Sequence, residues 1–499
     1  MNSKNISKAF SCFLITLSIF SCSKEDFNDN PNPKTRGIIN QEYYSLGTSY
    51  DITYNYLDID ATKYPVVDIA TFLKDNPNSY IINNTTHSSI SLISGATAEE
   101  YAREFAAQTS GSLGISTIIC ANIKFGSDLH TKNTYTTQYS YGRGDIIKRV
   151  KRVYLNATPS MLQNYLIPEF ERDLNILSPD DFVQKYGTHV LLDITLGGRI
   201  QFDYKSSILE TSSLTEKKSI VEAGLKFAIG KFGADASNSY TDQEIITTNK
   251  KNATWNTIIE FYGGENSGTT YTYDSEKGLT STGFNLSSWE SSVNDENATI
   301  IQINEDKTYP IYDFIKSSTK KEQIQAAVER YTQPEEIEII PVKPLYRLFS
   351  PNTRNTFFTS SWDEVKHYQN LGYNLDYGKK HYLQGYVFTE EQPNTVPLLR
   401  LYKSSNSNTF FTTSYKEAET YKKKGYKPDH GTTNYILGYV YKEYKGEYTL
   451  PIYRMYKGSI SNTFMTTNYD EAVQYLNEGY NWDKGTTNYI QGYIIDSDI

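Results

Sequence analysis

The sequence predicts an α+β protein in two parts: a large domain without repeats, and a smaller β-rich module built from three copies of one unit. Three observations lead there. The chain has 499 residues, too many for one ordinary core. Its apolar content is 38%, with 44 Tyr and 22 Phe, residues that suit half-buried pleated surface. After residue 340, one pattern of strands and turns returns three times.

The N-terminus comes first. Lys4 and Lys8 precede an apolar run from Ala9 to Ser21, ending at Cys22. That run is short of the ~20 residues a helix needs to cross ~30 Å of hydrocarbon, so residues 1–21 read as a secretory signal. Ile19-Phe20-Ser21-Cys22 resembles a bacterial lipobox, in which the Cys is acylated and becomes the first mature residue. Lys24-Glu25-Asp26 resembles the tag that sends some Gram-negative lipoproteins outward. Residues 22–40 are then a lipidated tether, and the expected place is the outer membrane's cell-surface face, anchored or released. A plain cleaved signal is the alternative.

Charge and composition exclude several classes. The formal net charge is −9 with no long basic run, which argues against nucleic acid as a partner. Of three Cys, Cys12 leaves with the signal and Cys22 is acylated, so Cys120 alone stays a thiol and no Cys-based zinc site forms. The six His show no metal-ligand spacing, and neither a phosphate-binding Gly loop nor a Gly-x-Ser-x-Gly elbow is present. No cofactor and no enzyme chemistry are expected.

Residues 41–331 carry no repeat and are expected to form the large domain. Ser178-Pro179-Asp180-Asp181 marks a helix start, and that helix runs into "KYGTHVLLDITLGG", a strand framed by a Gly-Thr-His turn and a glycine pair. Tyr186, Gly187, Thr188 and His189, followed at fixed distance by Gly197 and Gly198, resemble the signature of the membrane attack complex/perforin (MACPF) family. Val190 stands where an aromatic is usual. "SYDITYNYLDID" (Ser49 to Asp60), "IPEFERDLNIL" (Ile167 to Leu177) and "FYGGENS" (Phe261 to Ser267) resemble further family segments in the family's order. The resemblance implies a bent central sheet flanked by two helical clusters that re-form as membrane hairpins. It also implies a ring of copies on a target membrane. Gly197, Gly198, Gly263 and Gly264 become hinge or contact positions, because glycine moves between φ/ψ basins and admits close backbone approach. His189 is expected to be structural.

Two segments alternate in polarity. Ile119, Ile123, Phe125 and Leu129 fall on one face of 115–141, and Val221, Leu225, Phe227 and Ile229 on one face of 219–250. Each is a membrane-hairpin candidate; ordinary amphipathic strands of a soluble sheet are the plainer reading.

Residues 332–343 read as a linker, and 344–499 as the three-copy module, with copies starting at Pro344, Pro397 and Pro451. Each copy predicts two short strands, a helix opened by Ser361-x-x-Glu364, Ser414-x-x-Glu417 or Asn468-x-x-Glu471, a Gly stop, and a last strand. One copy is too small to bury its aromatic face, so the three are expected to close around a pseudo-threefold axis. The copies resemble repeats appended to bacterial secreted hydrolases, which implies glycan binding. Tyr346, Tyr402 and Tyr456 are candidate glycan contacts, or simply the module's own core.

Two functions remain open at this point: an oligomeric, antibacterial pore former, and a non-lytic glycan-binding adhesin. The partners implied are a target membrane, further copies of the chain, and a surface glycan or outer-membrane receptor.

Overall fold

The computed structural model describes residues 45–84, 86–109, 134–234, 251–275, 278–279, 284–304, 307–333, 337–376, 382–405, 407–429, 435–460, 462–483 and 489–496. The chain lays down β1 (Thr48–Tyr50), β2 (Thr62–Pro65), α1 (Ile69–Asp75), β3 (Tyr80–Asn83), β4 (His87–Gly95) and α2 (Ala98–Thr109). Next come β5 (Thr134–Thr136), β6 (Tyr139–Leu155), α3 (Pro159–Leu162), α4 (Pro168–Ile176), α5 (Pro179–Tyr186), β7 (His189–Leu191) and β8 (Asp193–Ile208). Then follow α6 (Leu214–Lys231), β9 (Asn252–Tyr262), β10 (Thr270–Asp274), β11 (Gly278–Leu279), β12 (Thr299–Ile303), β13 (Thr308–Pro310) and β14 (Glu338–Ile340). The fold is mixed, with antiparallel sheets and helices, followed by a β-rich C-terminal region.

The central sheet runs β11-β10-β9-β8-β6-β3, with β4 also on β6 and β12 also on β8. Its two longest strands change partners along their length. β6 pairs β4 over Gly95↔Tyr141 to His87↔Arg149, then β3 over Asn83↔Arg152 to Tyr80↔Leu155. β8 pairs β12 up to Thr299↔Gly197, then β9 from Arg199↔Tyr262. A bulge between Arg149 and Lys151 faces this switch across the β6–β8 ladder, where bulges re-aim a strand.

The sheet's two faces differ. Gly142, Gly144 and Ile146 on β6, with Ile200, Phe202 and Tyr204 on β8, lie under α6. The alternate residues are polar: Arg143 is ion-paired to Asp145 at 3.0 Å, and Arg199, Gln201 and Asp203 are buried beside them.

The strand expected through Val190 to Leu196 is in fact two. β7 joins a small sheet, β13-β7-β1-β2, and the ladder breaks at Leu192 before β8 begins. Leu192 bridges the two sheets: its N–H donates to Lys307 and its carbonyl accepts from Leu155. The glycine pair therefore lies inside β8, where it was expected to end a strand.

The C-terminal region has three stretches of the same local plan. β15 (Val342–Phe349), β16 (Thr356–Thr359), β17 (Asn374–Leu375) and β18 (Leu383–Phe388) form the first. β19 (Thr395–Lys403), β20 (Asn408–Thr412), β21 (Lys427–Pro428) and β22 (Ile436–Tyr441) form the second, and β23 (Thr449–Lys457), β24 (Asn462–Thr466), β25 (Asn481–Trp482) and β26 (Ile490–Ile495) the third. The three last strands pair with one another: β18 with β22, β22 with β26, and β18 with β26.

Each stretch holds a fully buried Arg. Arg347 pairs with Glu471 (2.7 Å), Arg400 with Glu364 (2.8 Å) and Arg454 with Glu417 (2.9 Å), so every guanidinium reaches the carboxylate of another stretch. These are the very Glu residues of the expected capping boxes. Their side chains turn to the arginines, and the N-cap N–H groups of Ser361, Ser414 and Asn468 instead donate to Thr359, Thr412 and Thr466. Half of each box survives: Ser361, Ser414 and Asn468 still accept from the N–H three residues on.

Candidate functional site

The signature residues build a rigid corner. Ser178 caps α5 by accepting from the Asp181 N–H at 3.2 Å, with Pro179 in the first turn. Tyr186 closes the helix, packs against Phe170 and Phe182 with centroids 5.1 and 4.9 Å away, and donates to Asp173 at 2.9 Å. Gly187 then takes φ 72°, and a Cβ there would stand 2.8 Å from the Tyr50 carbonyl oxygen. Only glycine fits both demands. The Thr188 N–H donates to that same carbonyl at 3.0 Å, and its hydroxyl accepts from the Ile52 N–H at 3.3 Å.

His189 is 7% exposed, with Nδ1 3.0 Å from the Thr188 hydroxyl. Burial drives its pKa down to about 4, partly opposed by Asp313. A base whose folded pKa lies below its unfolded ~6.5 keeps its stabilising contribution above that value and loses it as pH falls toward 4. His189→Asn should therefore flatten the pH dependence of thermal unfolding between 6.5 and 4. Parallel melting curves for the two chains across that window would refute the assignment.

The glycine pairs meet each other. A Cβ on Gly263 would lie 2.7 Å from the Gly197 carbonyl oxygen and 3.1 Å from the Gly198 Cα. Gly263 and Gly264 both have φ 70°, in the turn that follows β9. Onto this Cβ-free patch settle Trp289 and Val293, from the helix Leu286–Ser292 and the residue after it. Trp289 is 1% exposed and its indole N–H donates to the Gly263 carbonyl at 3.1 Å. Gly197 and Gly198 have no positive φ, so their glycine requirement comes from close approach. An alanine Cβ at Gly197 would stand 2.0 Å from the Lys148 carbonyl oxygen. Gly197→Ala is expected to cost about 3 kcal/mol, read as a lower Tm, since backbone must move to admit it.

α6 covers the apolar face beside this patch. Ser213 caps it by accepting from the Glu216 N–H at 3.3 Å, and Gly233 follows its C-terminus at φ 83°. Val221, Leu225 and Ile229 recur four residues apart and are buried on the sheet, while Phe227 points sideways and is half-buried. The alternating segment is thus a helix here, in keeping with the helical cluster that the resemblance implies before any hairpin forms. Its apolar residues satisfy both periods, and packing decides, because Gly142 and Gly144 let the helix sit directly on β6. Their absent Cβ atoms would lie 3.1 Å from Val221 Cγ1 and 2.5 Å from Ile229 Cδ1. Ile119, Ile123, Phe125 and Leu129 lie outside the described residues, as do 235–250 and Cys22.

Residues 78–338, more than half of the chain, match the profile of the MAC/Perforin domain. The chain belongs to the MAC/Perforin family. Residues 314–437 and 344–491 match a domain of unknown function, DUF5648. Among solved structures, this MAC/Perforin chain is similar to a protein with a MAC/Perforin domain from Bacteroides thetaiotaomicron, at 16% identity, over 74% of this chain and 85% of that one, with TM-score 0.47. It is also similar to GNIP1Aa from Chromobacterium piscinae, at 14% identity over 74% and 66%, with TM-score 0.43. A non-hemolytic pneumolysin from Streptococcus pneumoniae matches at 10% identity over 46% and 40%, with TM-score 0.22. No curated protein matches the chain in sequence.

The C-terminal tyrosines separate. Tyr346 is 1% exposed, and its hydroxyl donates to the Leu209 carbonyl at the end of β8. It joins the two parts of this MAC/Perforin protein and is not available to a glycan. The Tyr386 and Ser207 hydroxyls share a 2.8 Å hydrogen bond beside it, and Thr137 exchanges two bonds with the Val342 backbone. Tyr402 and Tyr456 are each 37% exposed and occupy a different position of the repeat, three residues further along. Sequence reasoning missed Trp289 and the three arginines. The Arg recurs in every copy, a signal in plain view; Trp289 has none.

Proposed function

We propose that this MAC/Perforin protein is a target-selective pore former that assembles into a ring and threads two β-hairpins per chain into another cell's membrane. The observation that carries the reading is where two segments leave the sheet. Residues 96–138 join β4 to β6, and residues 209–251 join β8 to β9, 43 residues in each case. All four strand ends lie together, through Gly95↔Tyr141, Tyr139↔Ser207 and Ile208↔Asn252. Drawn out as hairpins, the segments would prolong neighbouring antiparallel strands in their existing register.

Length and patterning support this. An arm of about 20 residues reaches roughly 65 Å, well beyond the ~10 tilted residues that cross a bilayer. One hairpin alone leaves unpaired edges in lipid, so insertion requires ring closure among copies. β6 and β8 already alternate a polar face with an apolar one, the pattern that a water-lined ribbon continues.

In this reading Cys22 carries the lipid, residues 24–26 direct the chain to the cell surface, the four glycines let the sheet flatten, and competing bacteria are the targets. The C-terminal repeats select the target surface by a glycan. The test is dye release from liposomes made from lipids of related Gram-negative strains, beside killing of those strains. Purified chain that binds such cells yet releases no dye and kills none would favour the non-lytic adhesin.

A further inference from the structure

We propose that the third C-terminal stretch carries a saccharide-binding seat, lined by Tyr453, Tyr469, Trp482, Tyr489 and Tyr493, that takes the face of a neutral pyranose. The inference rests on the reading that the repeats select their target by a glycan, and it assigns that role to one place.

The seat is found by comparing equivalent positions. In the first stretch they are Tyr346, Trp362, Leu375, Tyr382 and Tyr386, and the chain itself covers the three tyrosines. Leu209 lies in one apolar cluster with Tyr346, Tyr382 and Tyr386, and its carbonyl accepts from the Tyr346 hydroxyl. Those three tyrosines are 1%, 7% and 3% exposed. This contact defines what the position accepts: C–H groups against ring faces, and an oxygen on a phenol. A pyranose face offers both.

In the third stretch all five positions are aromatic, and they open to solvent. Tyr469 is 57% exposed, and the other four are half-buried. Trp482 and Tyr469 lie nearly parallel at 17°, and Tyr453 and Tyr489 at 15°. Trp482 packs on Tyr489 at 4.6 Å, joining the two pairs, and Tyr444, 56% exposed, extends the surface 5.9 Å beyond Tyr493. Such a patch of amphipathic rings on a surface marks a binding site. None of the five side chains is a carboxylate or a cation, which favours a neutral ring over an acidic or basic ligand.

The scaffold is rigid. Tyr453 sits on β23 between β24 and β26. Asn468 caps the helix Tyr469–Asn477 and so fixes Tyr469 at its first position. Trp482 is held by the pairing of β25 with Met455 on β23. The second stretch has Leu399, Tyr415, Pro428, Tyr435 and Tyr439 at the same places, two rings fewer.

The repeats supply variants the fold tolerates. Trp482→Leu installs the residue that the first stretch carries there; Tyr415→Ala in the second stretch is the control. Full-length chains are tested on arrayed neutral glucose, galactose, mannose and N-acetylhexosamine oligosaccharides, and on target-cell outer membranes with and without protease treatment. The unchanged chain should be retained by at least one neutral oligosaccharide. Trp482→Leu should weaken that retention tenfold or more at unchanged Tm, and Tyr415→Ala should shift it less than twofold. The free sugar should alter tryptophan emission in the unchanged chain and not in Trp482→Leu. Equal retention of the unchanged and Trp482→Leu chains overturns the seat while leaving a glycan role for the repeats. Retention by no arrayed sugar, with protease-sensitive membrane binding, overturns both and gives the repeats a polypeptide partner; protease-resistant binding overturns only the neutral pyranose.

Discussion

A chain carrying Gly142→Cys and Val221→Cys is expected to release no dye when oxidised and to recover fully on reduction. The two positions face each other across the α6–sheet contact, where a Cβ on Gly142 would lie 3.1 Å from Val221 Cγ1. Val221 Cβ is one bond from that Cγ1, which brings the two Cβ atoms within reach of a disulfide, whose Cβ···Cβ span is ~3.5–4.5 Å. Cys120 is replaced by Ser, and Cys12 and Cys22 likewise, so that the pair has no competitor. The oxidised bond ties α6 to β6, so the 209–251 segment cannot leave the apolar face, whatever happens elsewhere in the ring. Val221, Leu225 and Ile229 each lose about 1.5–3 kcal/mol of burial when α6 lifts away, so something must repay several kcal/mol. Pairing of new strands and burial in lipid are the available sources. Lysis by the oxidised protein at the unchanged rate would sink the hairpin mechanism for this segment.

The second large effect concerns stability. Arg400→Met should destabilise the C-terminal region by about 3–5 kcal/mol, because Glu364 is left buried without its cation. Arg400 is 0% exposed and also donates to the Phe358 carbonyl at 3.0 Å, so a strand of the first stretch loses a bond as well. Arg400→Met with Glu364→Leu should recover part of that loss, since a buried pair often breaks even against apolar groups of its size, while Asp429, which pairs with Arg400 at 3.0 Å, still lacks its cation. Trp482 emission, taken as the difference from a chain that also carries Trp482→Leu because the sequence has 4 Trp, should follow the same shifted denaturant midpoint, since each arginine bridges two stretches. A Trp482 signal that melts as in the unchanged chain would show that the stretches unfold independently.

The signature and the glycine pairs were legible through their resemblance to a family pattern; the stop at Gly187 is a local constraint, whereas Gly197 and Gly263 meet distant backbones too closely for a Cβ. Trp289 was not, since nothing in its neighbourhood says that the strand at Gly198 and the turn at Gly263 converge beneath it. α6 shows why alternation alone does not fix the state of a segment. Val221, Leu225 and Ile229 fit a strand of period two and a helix of period four equally, and only the glycines on β6, some 80 residues earlier, choose between them. The repeats were plain to see, but their tyrosines could not be ranked. Tyr346, Tyr402 and Tyr456 looked alike until Leu209 was found seated on the first.

That seat has a mechanical consequence. Leu209 is the first residue beyond β8 and the residue that Tyr346 grips. The C-terminal region and the chain that leaves β8 thus share a single joint. If the repeats hold a target and 209–251 becomes a hairpin, as proposed, that hairpin's base is planted by the same joint, so catching hold and aiming would be one act.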